Sequence, residues 1–258
     1  MAVGVEESGV PRPVDRRKLE QEWGAAKIMG SYSYNIDVGA DSVASRVVNL
    51  VGADKRVLEL GCSGGHMSRI LQARGCDVTG IEIDAAAAEG AKEYCSAVHT
   101  LGLDDPTWSA RLARADDKFD VIVAADVLEH LRDPFGCLVQ MRSLLNAAGY
   151  LVVSTPNIAY GGVIASLLVD EFEYKEIGLL DSTHRHFFTL SSLRKVLSDA
   201  GYRIDHLSSV DAGLDHPEFA RQWAGIPERT RNLILRKPGA LAFQFVATAH
   251  KAPREAAS

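Results

Sequence analysis

From Arg56 onward, short apolar runs alternate with amphipathic stretches of helical spacing. Val57-Leu58-Glu59-Leu60 reads as a strand closed by Gly61, and 66–74 as the helix that follows it. Residues 77–83 predict a second strand, 85–95 a second helix, and 96–101 a weaker third strand. Phe119–Ala125, FDVIVAA, is apolar almost throughout, the mark of a strand covered on both faces. Pro134 suits a first helical position, so 134–145 predicts a helix and 150–154 the next strand. Strands alternating with helices in this way imply parallel βαβ units, with ligands at the carboxyl ends of the strands. The predicted fold class is therefore α/β: a doubly wound, mostly parallel sheet.

After Pro156 the rhythm breaks. Residues 157–189 carry too many apolar and aromatic side chains to stay solvated, with no strand expected, and read as a cap over the strand ends. A helix over 190–200 stopped by Gly201, and late strands over 203–210 and 240–249, complete the pattern. This divides the chain into an N-terminal helical extension (1–50), a main domain (51–251) and a loose tail (252–258). The main domain holds the substrate cap at 157–189 and a helical insertion at 212–238. Within the extension, Leu19, Trp23 and Ile28 mark a helix over 15–29, and Asp41 is placed to cap another over 41–51. Tyr32 and Tyr34 stand between them, placed to close over a ligand or simply to pack.

Composition narrows the function. The 258 residues are 47% hydrophobic and 24% charged, as a folded domain requires, with a net charge of −6. The basic residues are dispersed, which disfavours a long nucleic-acid partner. No apolar run approaches the length of a membrane span, and Met1–Arg17 lacks the apolar core of a secretory signal. Cys62, Cys76, Cys95 and Cys137 form no CxxC pair, so reduced thiols in a cytoplasmic protein are expected.

The strongest chemical signal is the strand–glycine turn–helix of Val57–Gly65. Glycines let backbone approach a ligand closely, and a helix start offers free N–H groups. The GxGxxG dinucleotide pattern fails, since Ser63 and His66 stand where its second and third glycines belong. No GK[ST] ending makes it a Walker loop. Glu59, in the entry strand, would repel a pyrophosphate and attract an ammonium group. Glu82 ends the next strand 21 residues after Gly61, the offset of a carboxylate that binds ribose hydroxyls. A ligand with a ribose, an ammonium group and little negative charge is implied, and S-adenosylmethionine has these features.

VLELGCSGG, VTGIEID, FDVIVAADVLEHLRDP and LLNAAGYLVVSTPN, in that order, resemble the motifs of class I S-adenosylmethionine-dependent methyltransferases. The resemblance runs from about Arg56 to Ala249 and implies a seven-stranded Rossmann-like sheet with an antiparallel final strand. The segment DSTHRHFFT (181–189) resembles a signature of small-molecule and sugar-modifying enzymes related to ubiquinone-type O-methyltransferases. What the resemblance implies about residues is specific. Glu59 with Gly61, Cys62, Ser63 and Gly64 would hold the methionine end. Glu82 would hold the ribose and Ile83 would lie beside the adenine. Asp126 would line the sulfonium end. Gly102 replaces the first Asp of the family's G-D-x-D-D run, which shifts adenine recognition to Leu103 or Asp104.

Catalytic candidates are His184 and His186 in the cap, with His130 and Asp126 after the FDVIVAA strand. Histidine is the usual general base near neutral pH, and O-methylation requires removal of a hydroxyl proton. The D-x-x-H-x-H run could also ligate a metal, but no metal is assigned. The expected reaction is O-methylation of a small polar acceptor, a sugar or natural-product hydroxyl. N- or C-methylation and a non-catalytic cofactor-binding module remain the alternatives. The N-terminal helices could form a lid or a homodimer contact.

Overall fold

The computed structural model describes residues 36, 38–112 and 118–253. The expected helix over 15–29, Tyr32, Tyr34 and most of the tail therefore lie outside the described residues. The described elements are α1 (Val43–Val51), β1 (Arg56–Leu60), α2 (His66–Ala73), β2 (Asp77–Glu82), α3 (Ala85–Ala91) and β3 (Ala97–Thr100). Then come α4 (Trp108–Leu112), β4 (Phe119–Ala125), a 3-10 turn (Leu128–His130), α5 (Pro134–Leu144) and β5 (Leu145–Pro156). The chain continues with α6 (Gly161–Leu168), α7 (Leu190–Asp199), β6 (Tyr202–Asp211), α8 (Ala220–Gly225), α9 (Glu228–Leu235) and β7 (Ala242–Lys251).

The strands form one seven-stranded sheet in the order β3-β2-β1-β4-β5-β7-β6. β1 through β5 pair in parallel, while β7 runs antiparallel to both β5 and β6. The order reverses between β1 and β4, which makes their carboxyl ends the topological switch point. Among the described residues, no helix is long and apolar enough to cross a membrane.

Alternation along the strands explains the apolar runs. Val57, Val121, Val123 and Val152 enter one core with α1 and α2 residues such as Val47 and Leu71. Leu58, Leu60, Ile122, Ala124, Leu151 and Val153 enter another, with Leu138 and Met141 of α5 and Leu193 of α7. With both faces covered, nearly every position of the central strands β1 and β4 is inside, so these strands read as apolar runs, whereas the outer β3 and β6 are largely unburied. Polar side chains in that parity are therefore conspicuous, and Glu59 and Glu82 lie on the same face as Val57 and Val78.

Several boundaries differ from expectation. Ser42, not Asp41, caps α1: it forms a reciprocal capping box with Ser45, while Asp41 pairs with Arg46. α3 ends at Ala91, four residues early, and α4 was not anticipated. β5 starts at Leu145, because Leu145 pairs with Phe119 across an irregularity in the β4–β5 register. In the cap, α6 forms a helix, and its Val163 packs with Leu179, Leu180, Leu214 and Phe219. The cap and the 212–238 insertion thus share one core.

Gly80 illustrates how tightly the β1–β2 region is packed. It pairs with Glu59, and a Cβ placed on it would lie 2.7 Å from the Cys62 sulfur and 3.3 Å from the Cys95 sulfur. Gly80→Ala should therefore lower stability by about 1–3 kcal/mol. Denaturant unfolding monitored by circular dichroism checks this, and an unchanged midpoint would refute the packing.

Candidate active site

The loop from Gly61 to Gly65 leaves β1 and turns back onto β2. The Gly61 and Cys62 N–H groups both donate to the Ile81 carbonyl. Gly61, Ser63 and Gly65 have φ of 68°, 47° and 81°. The last leaves no room for a side chain, since a Cβ there would lie 2.9 Å from the Ala91 backbone. Gly64 carries no such constraint.

Glu82 ties this turn together. Its carboxylate accepts N–H from Ser63 at 2.9 Å, Ile83 at 2.7 Å and Asp84 at 2.9 Å. Of a carboxylate's roughly four acceptor positions, about one is left over. Receiving two ribose hydroxyls would therefore require one of these three backbone bonds to yield. Ile83, next to it, is 49% exposed, an open apolar surface just beyond the carboxyl end of β2.

Glu59 is 5% exposed and accepts a 2.5 Å hydrogen bond from the Ser68 hydroxyl of α2. Burial pushes its carboxyl up to about 8, against the lowering effect of Ser68. A buried carboxyl held neutral for want of a positive partner fits an ammonium ligand. Leu103 packs its side chain against the main core. Asp104 accepts the Arg132 N–H at 2.7 Å, so it links the loop after β3 to the segment after β4.

The second half of the site follows β4. Asp126 has φ of 52°, a strained conformation for a residue with a side chain. Its carboxylate accepts from Ser154 Oγ at 2.7 Å and Gln244 Nε2 at 3.1 Å. Enclosure by protein raises its carboxyl above the usual range. Glu129 is 1% exposed, and neither of its carboxyl oxygens has a hydrogen-bond partner. Burial, then the neighbouring Asp126, holds Glu129 well above the ordinary carboxyl range.

The 181–189 segment is fastened to this turn through the backbone. The Arg185 and His186 N–H groups both donate to the Glu129 carbonyl, at 2.7 and 3.0 Å. This brings the His184 ring to 4.7 Å from the His130 ring, edge to face. His186 points elsewhere, with its Nε2 3.2 Å from the Arg132 carbonyl and its ring stacked on Phe188. The two cap histidines are therefore separated: His184 joins the cluster and His186 pins the cap.

The hydrogen-bond network assigns the tautomers. Thr183 Oγ1 donates to Asp181 Oδ1 at 2.6 Å and lies 3.0 Å from His130 Nδ1. With the hydroxyl proton committed to Asp181, His130 Nδ1–H donates to Thr183, and Nε2 carries the lone pair. His184 Nδ1 lies 3.1 Å from the Leu179 carbonyl, so it donates there and also frees Nε2. Burial, then His184, pushes His130 down to about 4, so it is neutral at pH 7. Ligand atoms of Glu129, His130 and His184 all lie within 4.8 Å of one another. Such a set can accept a proton or coordinate a cation.

Glu129, Asp181 and Thr183 are the site residues the sequence reading did not assign. The signal lay in D-x-x-E-H over 126–130, which puts acid and imidazole one turn apart on a strand end.

A mostly parallel seven-stranded sheet with helices between its strands and acidic side chains at its switch point defines an α/β domain of the Rossmann-like class. The methyltransferase-domain family matches residues 39–207 of this chain. The chain belongs to that family, among the class I S-adenosylmethionine-dependent methyltransferases, and S-adenosylmethionine is its cofactor. It is 29% identical over 168 residues to a ubiquinone biosynthesis O-methyltransferase of Psychrobacter arcticus, covering 64% of this chain and 65% of that one. The chain thus spans just under two thirds of that relative's length. A Histophilus somni protein of the same name is 34% identical over 110 residues, covering 40% and 46%. The fold superposes with TM-score 0.57 on the magnesium protoporphyrin IX methyltransferase of Synechocystis, solved with S-adenosylhomocysteine. That alignment covers 92% of this chain and all of that one at 15% identity.

A consequence follows for Glu59. Its carboxyl sits above the unfolded value of about 4.3, so between that value and about 8 the folded state holds the extra proton. The associated stability is complete below the unfolded value and is lost as pH rises through about 8. Glu59→Gln should flatten this decline, so the variant's thermal midpoint gains on the wild type from pH 5 to pH 9. At pH 7, binding an ammonium ligand should release a proton from Glu59, visible by calorimetry in buffers of differing ionisation enthalpy. Parallel pH curves with no proton release would reject the assignment.

Proposed function

We propose that the protein transfers the methyl group of S-adenosylmethionine to a hydroxyl on an aromatic ring of a small molecule. The observation that carries the reading is the lining beyond His184. Its ring meets Phe187 at 6.3 Å between centroids, and Phe187 meets Phe172 at 5.9 Å and Tyr174 at 6.4 Å. Phe172 and Tyr174 are 42% and 51% exposed, so this aromatic surface is open beside two imidazoles. Edge and face contacts with such rings favour a flat apolar acceptor.

The base supports the same reading. His130 is neutral but weakly basic, because its cation would be buried beside His184. Such a base suits a phenolic hydroxyl, with a pKa near 10, better than an aliphatic hydroxyl as weakly acidic as water, near 15.7. The relatives named as ubiquinone biosynthesis O-methyltransferases point in the same direction. Of the acceptors expected from sequence, a sugar or natural-product hydroxyl, this favours an aromatic natural product over a sugar.

When bound, S-adenosylmethionine supplies an electrophilic methyl group on a sulfonium. Glu59 and the Gly61–Gly64 turn would hold its methionine end, Glu82 its ribose and Ile83 its adenine. Asp126, which follows the end of β4, would line the sulfonium end. The acceptor hydroxyl would donate to Nε2 of His130 or His184. As the proton moves to His130, the Thr183–Asp181 chain steadies the imidazolium and fixes its ring. Holding the two reactants together supplies much of the acceleration.

The test is formation of S-adenosylhomocysteine by the purified full chain with catechols and other phenols, against sugars with free hydroxyls. Turnover with phenols alone is expected, and turnover with sugars alone overturns the acceptor class. His130→Ala should lower kcat about 10²–10⁴-fold, as for loss of a general base. Thr183→Val should lower kcat by a smaller factor while leaving cofactor affinity unchanged. His186→Ala should leave kcat close to wild type, and equal loss in the His130 and His186 variants would remove His130 from the chemistry.

A further inference from the structure

Two cysteines that the proposed reaction does not use meet beside the cofactor turn. Cys62 lies inside the Gly61–Gly65 turn and is buried, and Cys95 lies between α3 and β3, partly exposed. They are 33 residues apart in sequence, yet both sulfurs occupy the notch over Gly80, 2.7 and 3.3 Å from where its Cβ would stand. Gly80 has no side chain to separate them, and the notch adjoins Glu59 through the β1–β2 pairing.

The geometry points to Cys62 and Cys95 as a dithiol that oxidises to a disulfide and thereby closes the cofactor turn to its ligand. The inference rests on the reading of Gly61–Gly65 as the turn that holds the methionine end. The chemistry of the two thiols is complementary. The hydrogen bond from Cys62 holds the Cys95 thiol below its ordinary range, which favours the nucleophilic thiolate at Cys95, the partly exposed member of the pair. The same hydrogen bond, with burial, pushes Cys62 far up, so it keeps its proton while Cys95 is anionic.

With a low-molecular-weight disulfide as oxidant, the Cys95 thiolate attacks one of its sulfurs. A mixed disulfide forms at Cys95 and one small thiolate leaves. The neighbouring negative charge that held the Cys62 proton is then gone. Cys62 releases that proton, attacks the Cys95 sulfur and expels the second small thiolate. Two protein thiols lose two electrons and two protons, and the small disulfide becomes two thiols. The bonded sulfurs stand about 2.05 Å apart, so Cys62 is drawn toward Cys95. Its neighbours are Gly61, which bonds Ile81, and Ser63, which bonds Glu82. Displacing Cys62 therefore displaces the backbone on both sides.

The experiment treats the full chain with oxidised glutathione, maps its peptides by mass spectrometry, and titrates S-adenosylhomocysteine by calorimetry before and after. The expected result is a Cys62–Cys95 link lighter by two hydrogens, with affinity reduced about 10-fold or more and restored by dithiothreitol. Cys95→Ser should bind like the reduced wild type and not respond to the oxidant. A persistent glutathione adduct on Cys95, no reaction at either thiol, or a disulfide with unchanged affinity would overturn the inference. If the reduced protein does not bind S-adenosylhomocysteine, the cofactor reading fails instead, while peptide mapping still decides whether the dithiol closes.

Discussion

The Glu82 carboxylate receives N–H groups from Ser63 in the Gly61–Gly65 turn and from Ile83 and Asp84 at the start of α3. One side chain therefore sets the relative position of two βα turns. Three backbone donors converge on this one buried side chain. The positive φ of Ser63 persists because that N–H is held, and the glycines on either side absorb the rest of the turn. Without this anchor the Gly61–Gly65 backbone has few fixed contacts, since Cys62 and Gly61 share a single carbonyl on Ile81.

The turn after β4 is organised by a different constraint. Glu129, buried with no partner on its carboxyl oxygens, is an unfavourable residue for folding alone. Its carbonyl, by contrast, is the post to which the cap backbone is fastened. One residue thus places an uncompensated acid in the site and brings the His184 segment down over it. The strain at Asp126 and the depressed His130 belong to the same cluster. Such local disagreement with stability is what a site that must bind and react is expected to show.

The half of the chain before Pro156 was largely legible because parallel strands covered on both faces must be apolar, and helices between them must be amphipathic. β1, β2 and β4 fall within a residue of the sequence reading. α4 was missed because five residues are too few for a periodicity to register. Glu59 and Glu82 were legible as acids at strand ends, but the bonding that occupies Glu82 was not. The cap was recognised as covered apolar chain, though not as a helix sharing a core with the later insertion.

The alternating strands and helices, the glycine turn and the acids beside it can be read from the residues, because each depends on local periodicity or on a backbone conformation that only some residues adopt. Tertiary structure alone decided which histidine enters the site. His184 and His186 are two residues apart in a segment with no regular structure, so neither 3.6- nor 2-residue periodicity assigns their faces. The choice follows from two backbone bonds to the Glu129 carbonyl, more than 50 residues away in the chain. The meeting of Cys62 with Cys95 has the same origin: a glycine on the strand between them leaves space that only the folded sheet defines.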